Sequence, residues 1–145
     1  MRTRLKSYVV AIFIGMLLRA TLACAQDLLI VVNENVGVTQ ITETRLRDIF
    51  TGARTRFDNG GRAVPVLLKG GPVHEVFLHR HVGDTPDEFR IRWRKAVFTG
   101  QGSMPKECSS EADLLKYVEA TPGAIGYISR MSEGSTVKPL TVTAR

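Results

Sequence analysis

The chain has 145 residues, 43% hydrophobic and 23% charged, with two cysteines, 20 basic and 14 acidic residues. That length suits one domain whose core needs neither disulfides nor metals, and two cysteines are too few for a disulfide scaffold. The formal charge of +6 is unevenly spread, so it does not argue for a nucleic-acid partner.

Residues 1–25 read as a secretory signal peptide. Arg2, Arg4 and Lys6 form a positive n-region, and Tyr8 to Leu18 is an apolar stretch too short to span a bilayer. Ala23-Cys24-Ala25 fits a small-x-small cleavage site, so residues 26–145 are expected as a periplasmic domain. The alternative is lipidation at Cys24, for which Leu22 stands one place too late. Arg2, Arg4, Lys6 and Arg19 leave with the signal and no acid does, so 16 basic residues then face 14 acidic ones and the charge falls to +2. Cys108 would be the lone remaining thiol. A buried, inert cysteine is the simpler reading, and a thiolate favoured by the following helix start is the other.

Leu28 to Val32 is a continuous apolar run, as in a strand covered on both faces. Asn33 to Gln40 reads as a loop. A helix follows over Glu43 to Thr51, with Thr42 as N-cap and Leu46, Ile49 and Phe50 on one face. Gly52 can supply the left-handed residue that ends it. Asp58-Asn59-Gly60-Gly61 is a turn, and Ala63 to Leu68 a second strand. Gly70-Gly71-Pro72 opens a helix to about Val82. Thr85 and Glu88 form a capping box for another, Pro86 to Phe98, with Phe89, Trp93 and Val97 on its buried face. Gly100 to Cys108 reads as a polar loop. A helix over Ser110 to Ala120 then stops at Pro122-Gly123. Ala124 to Ile128 is a buried strand with small residues where something packs close, and Val137 to Val142 is another. Strands alternating with helices predict an α/β domain with a mainly parallel sheet.

Four phrases stand in order along this pattern: Leu46-Arg47-Asp48-Ile49-Phe50-Thr51-Gly52, Phe57-Asp58-Asn59-Gly60-Gly61, Val64-Pro65-Val66 and Thr121-Pro122-Gly123-Ala124-Ile125-Gly126-Tyr127-Ile128. Together they resemble the phosphate-type periplasmic substrate-binding proteins of ABC transporters, over one lobe of that two-lobed family. The resemblance implies a single lobe of the type II periplasmic-binding-protein-like fold, a mainly parallel sheet flanked by helices, and a non-enzymatic role.

The segment Val66 to Phe77 is the most informative for ligand chemistry. A strand, a glycine turn and a helix start form a natural anion site, which makes Lys69, Gly70, Gly71 and His74 the candidate ligand-binding residues. The resembled family places an Arg and a Ser-Gly-Thr step here, ahead of a Phe. With Phe77 on that Phe, Gly71, Pro72 and Val73 stand on Ser-Gly-Thr and Lys69 is nearest the Arg. Both hydroxyls are then missing and Pro72 has lost an N–H, so phosphate or another oxyanion should bind weakly. A plain strand-to-helix turn is the alternative.

His74 and His81 could share a helix face while His79 points elsewhere, but their spacing matches no metal motif, and surface or helix-end positions are the ordinary reading. Arg90, Arg92, Arg94 and Lys95 form a basic cluster, either a solvated face or a contact for an acidic partner. No catalytic or cofactor motif occurs, and Asp87 and Glu88 read as first-turn helix acids. Two functional classes follow: an oxyanion-binding module serving a membrane transporter, or a protein-interaction or sensory-input module for a sensor protein. A lobe without its counterpart cannot enclose an ion by itself, which favours protein contacts.

Overall fold

The computed structural model describes residues 27–144, so the expected signal peptide, its expected cleavage site and Cys24 lie outside the described residues. In chain order come β1 (Leu29–Val32), β2 (Gln40–Thr42), α1 (Glu43–Phe50), β3 (Val64–Leu68), α2 (Pro72–Phe77), α3 (Pro86–Phe98), β4 (Lys106–Cys108), α4 (Glu111–Ala120), β5 (Ala124–Ile128) and β6 (Lys138–Thr143). α2 continues as a wider π turn, Leu78–Val82, which ends at Gly83 with φ 81°.

All six strands form one sheet in the order β2-β6-β1-β5-β3-β4. β1 is antiparallel to β5 and β6. The pairs β2–β6, β3–β5 and β3–β4 are parallel. Five strands therefore share one direction and β1 alone opposes them. The three apolar runs found in the sequence lie side by side as β1, β5 and β3.

β5 shows how the layers arise. All five of its residues are buried, so alternate side chains must enter two different cores. Gly126 faces α4, where a Cβ would stand 2.7 Å from Leu114 Cδ2 and 3.4 Å from Val118 Cγ2. Tyr127 faces the other way, its ring stacked on Phe77 at 3.9 Å and tilted against Phe50 at 6.0 Å. Helix α4 thus covers one face, and α1 and α2 cover the other. The small residue in β5 is what lets α4 come close.

The caps fall where the sequence puts them. Thr42 Oγ1 accepts from Arg45 N at 3.3 Å, and Ser110 Oγ from Asp113 N at 3.1 Å. Thr85 and Glu88 exchange both bonds of the capping box. Gly52 has φ 79°, and a Cβ there would lie 2.9 Å from Trp93 Cη2. Trp93 in turn donates Nε1–H to Phe50 O at 3.0 Å, joining α3 to α1.

Three expectations change. The stretch from Gly100 to Cys108 is not all loop: its last three residues form β4, an edge strand with only Cys108 buried. An edge strand needs no apolar run, so hydropathy misses it. Gln40, read as loop, likewise begins the short edge strand β2. Val97 is 41% exposed. The buried stripe of α3 runs from Phe89 and Trp93 to the partly buried Ala96, seven residues after Phe89, and Val97 falls beside it.

Candidate functional site

β3 ends at a turn held by its neighbour: Lys69 N donates to Cys108 O at 3.0 Å. Gly71 then has φ 95° and ψ 171°, a region that essentially only glycine enters. A Cβ on Gly70 or Gly71 would meet nothing within 4 Å, so the turn is open outward. The first amide to bond back along α2 is Glu75 N, to Gly71 O at 3.1 Å. The amides of Val73 and His74 precede it at the helix start, and Pro72 between Gly71 and Val73 supplies none.

His74 is not a surface residue. It is 7% exposed, and its Nδ1 lies 2.5 Å from the Tyr127 hydroxyl. That same oxygen accepts Leu68 N–H at 3.0 Å. If Nδ1 also carried a proton, the buried hydroxyl hydrogen would have no acceptor. The satisfied arrangement has Tyr127 O–H donating to Nδ1, with the imidazole proton on Nε2. Burial lowers the His74 pKa, an effect opposed by Glu75 and assisted by Arg90. Burial also raises that of Tyr127, so the hydroxyl keeps its proton.

Nε2 has no protein partner, yet no fully buried side-chain nitrogen or oxygen is left unpaired among the described residues. This nitrogen therefore has access to space. The space is a hollow of about 170 Å³ lined by His74, Lys69, Arg90, Glu107, Phe89 and Trp93, with Met104 and Pro105 at its side. It adjoins a wider cleft of about 860 Å³ that shares Lys69, Trp93 and Glu107 and adds Arg54, Arg62 and Lys106. Lys106 Nζ stands 5.5 Å from the Tyr117 ring centroid on this side.

Of the sequence candidates, Lys69, Gly70 and Gly71 share the open turn, and His74 lies beneath it in the aromatic core. Arg62, Lys106, Trp93 and Glu107 were not among them. Lys106 and Glu107 arrive on β4, Trp93 on α3 and Arg62 just before β3, and only the folded arrangement brings them together.

The remaining charged and titratable groups have other duties. His81 is also buried, with Nδ1 3.2 Å from Glu43 Oε1, which ties the π turn to α1. The surface reading of His74 and His81 is therefore wrong. Each is buried against a partner from another element, Tyr127 of β5 for His74 and Glu43 at the start of α1 for His81. Arg92 forks onto Asp84 at 2.9 and 2.8 Å, and Arg90 meets Asp87 at 3.2 Å. Arg45 and Arg54 both pair with Asp58. Much of the basic cluster is thus answered within the chain, whereas Arg62, Lys69 and Lys106 make no ion pair among the described residues. Cys108 is buried, and its thiol is pushed up by desolvation, which disfavours a reactive thiolate.

No protein-family model matches the chain, and no curated protein is significantly similar in sequence. Solved structures are similar in fold. One is a phosphate ABC transporter substrate-binding protein with bound phosphate from Clostridium perfringens, at 20% identity and TM-score 0.63, covering 81% of this chain and 45% of that one. Another is an ABC-type phosphate transport receptor from Vibrio cholerae, at 20% identity and TM-score 0.59, covering 80% and 46%. A third is PstS from Borrelia burgdorferi, at 18% identity and TM-score 0.59, covering 81% and 47%. The chain therefore has the α/β fold of phosphate ABC transporter substrate-binding proteins and spans a little under half the length of those solved chains.

Proposed function

We propose that residues 26–145 form a periplasmic, non-enzymatic binding module of the substrate-binding-protein type, which takes a small oxyanion such as phosphate weakly at the end of β3. The observation that carries this is the turn itself. Lys69, which makes no ion pair among the described residues, an open Gly70-Gly71 step and the Val73 and His74 amides at the helix start follow one another in this turn. Their charge and dipoles favour an anion. The same geometry explains why binding is weak. Gly71 and Val73 offer no hydroxyl, Pro72 offers no N–H, and Lys69 cannot make the two-pronged contact of an arginine. A dissociation constant near the millimolar level, about −4 kcal/mol, is the expected scale.

Calorimetry with phosphate and sulfate at low and high salt tests this, with Lys69→Ala as the control. Weak, salt-sensitive binding lost in Lys69→Ala supports the site. Tight binding that survives the substitution places the anion elsewhere and ends this reading.

A protein-interaction role, with a membrane transporter or a sensor protein as partner, is favoured by one separate feature. The wide cleft beside the turn carries Arg62, Lys69 and Lys106 without internal ion pairs. Crosslinking in intact cells, with Arg62 and Lys106 changed to Glu, tests it. Capture of the same neighbours with and without the changes would remove the cleft from the contact.

A further inference from the structure

We propose that the hollow beneath the turn is a second binding site, for a small carboxylate with a short apolar tail, and that the neutral imidazole of His74 supplies its central donor. This rests on the reading above only in sharing Lys69; its ligand, its walls and its key donor are different.

The argument begins with His74. A side chain more than nine-tenths buried, lining the hollow, holds a nitrogen with no hydrogen-bond partner among the described residues and with access to space. The Tyr127 hydroxyl fixes the imidazole from behind, because Nδ1 accepts its proton. The Leu68 amide fixes the hydroxyl in turn. The ring is therefore held in one tautomer, with Nε2–H presented to the hollow. Phe89 packs edge-on against it with ring centroids 6.3 Å apart. Water can accept from this donor in the hollow, and a carboxylate oxygen can replace that water with a stronger, charge-assisted acceptor.

The rest of the lining chooses between acceptors. Lys69 and Arg90 add positive charge, and Arg90 reaches Asp87 only through an exposed contact. Glu107 contributes the opposing charge, which penalises a dianion more than a monoanion. Leu67, Phe89, Trp93 and Met104 supply apolar wall, which a phosphate would leave unused and a short hydrocarbon tail would cover. A void of about 170 Å³ corresponds to on the order of ten waters. Butyrate fits those limits and serves as the probe.

The experiment is a titration of the purified protein, labelled with ¹⁵N, with acetate, butyrate and phosphate at constant ionic strength. The readouts are the His74 ring nitrogens, the Trp93 indole N–H and the Gly70 and Gly71 amides. Butyrate should give saturable shifts at His74 and Trp93. Acetate should bind about fifteenfold more weakly, since it lacks two methylenes and each buried one contributes roughly fourfold, or ~0.8 kcal/mol. Phosphate should shift the Gly70 and Gly71 amides and leave Trp93 in place. Arg90→Ala, an exposed change that spares the core, should weaken butyrate at least fivefold without altering phosphate. His74→Gln, accepted only if its spectrum is that of a folded chain, should abolish the butyrate shifts. Equal response to acetate and butyrate, or butyrate shifts confined to Gly70 and Gly71, would overturn the second site while leaving weak oxyanion binding intact. No response to butyrate has the same meaning if phosphate still shifts the turn. Silence from all three ions overturns both proposals.

Discussion

Replacing Tyr127 by Phe removes one oxygen from the centre of the aromatic core and leaves the ring stack with Phe77 untouched. Two buried groups then lose their partner: Leu68 N–H, which reaches that oxygen at 3.0 Å, and His74 Nδ1, at 2.5 Å. A buried polar group left unpaired costs about 1–3 kcal/mol. The imidazole can recover part of its share by exchanging tautomers, whereas the Leu68 amide sits under a strand end and cannot move. The combined loss should be about 2–4 kcal/mol, a large share of a domain's usual margin of roughly 5–15 kcal/mol. Urea unfolding measures it through the midpoint at unchanged slope. A second readout is specific to the network: His74 should lose its single Nε2–H tautomer in ¹⁵N spectra. A loss below about 0.5 kcal/mol on the same scale, with His74 unchanged, would show that the hydroxyl does not organise this site.

Other consequences can be checked the same way. Burial holds His74 and His81 below their ordinary value of 6.5, so the unfolded chain takes up protons first as pH falls. Their contribution should be intact above pH 6.5 and decline below it; the urea midpoint should drop between neutral and mildly acid pH and flatten in His74→Gln/His81→Gln, and a rise on acidification would contradict the sign. Gly123 has φ 78°, and a Cβ there would stand 2.2 Å from Arg62 O, so Gly123→Ala should destabilise by at least ~2 kcal/mol through steric conflict and backbone strain. A near-neutral thermal shift would mean that this turn yields easily. Asn33 Nδ2 donates to Val118 O at 2.8 Å and Glu119 O at 2.9 Å, closing the end of α4. Asn33→Ala should cost about 2–3 kcal/mol and loosen amide protection in the last turn of α4; unchanged exchange there would refute the capping role.

Much of the fold was legible because its signals are local. Thr42, Thr85 and Ser110 are helix starts by side-chain chemistry alone, and the apolar runs of β1, β3 and β5 announce strands covered on two faces. The small residues of β5 even announced a close approach, which at Gly126 is that of α4. What stayed hidden depends on partners distant in sequence. β4 has no hydrophobic pattern and exists because it lies beside β3. His74 could be picked as a candidate from its place after the glycine turn, but its burial shows only when Tyr127, 53 positions later, is brought against it. The hollow inherits this limit. Lys69 could be picked from its glycine turn, but Arg90 and Trp93 come from α3 and Glu107 from β4, and no spacing rule links those elements to the turn.

β1 holds the middle of the sheet, yet it meets β5 and β6, the last two strands made. Its register joins Ile30 to Leu140, more than a hundred residues away. β2 is in the same position, since its ladder is with β6. The first strands to leave a ribosome or an export channel therefore have no partner until the far end follows. Closing so long a loop slows folding more than it weakens the finished fold. The N-terminal third should stay extended and available to a chaperone or a translocase while the rest of the chain is made. Folding should begin instead around β3, α4 and β5, whose contacts are nearer in sequence, and removal of β6 should strand β2 and leave β1 paired on its β5 side alone.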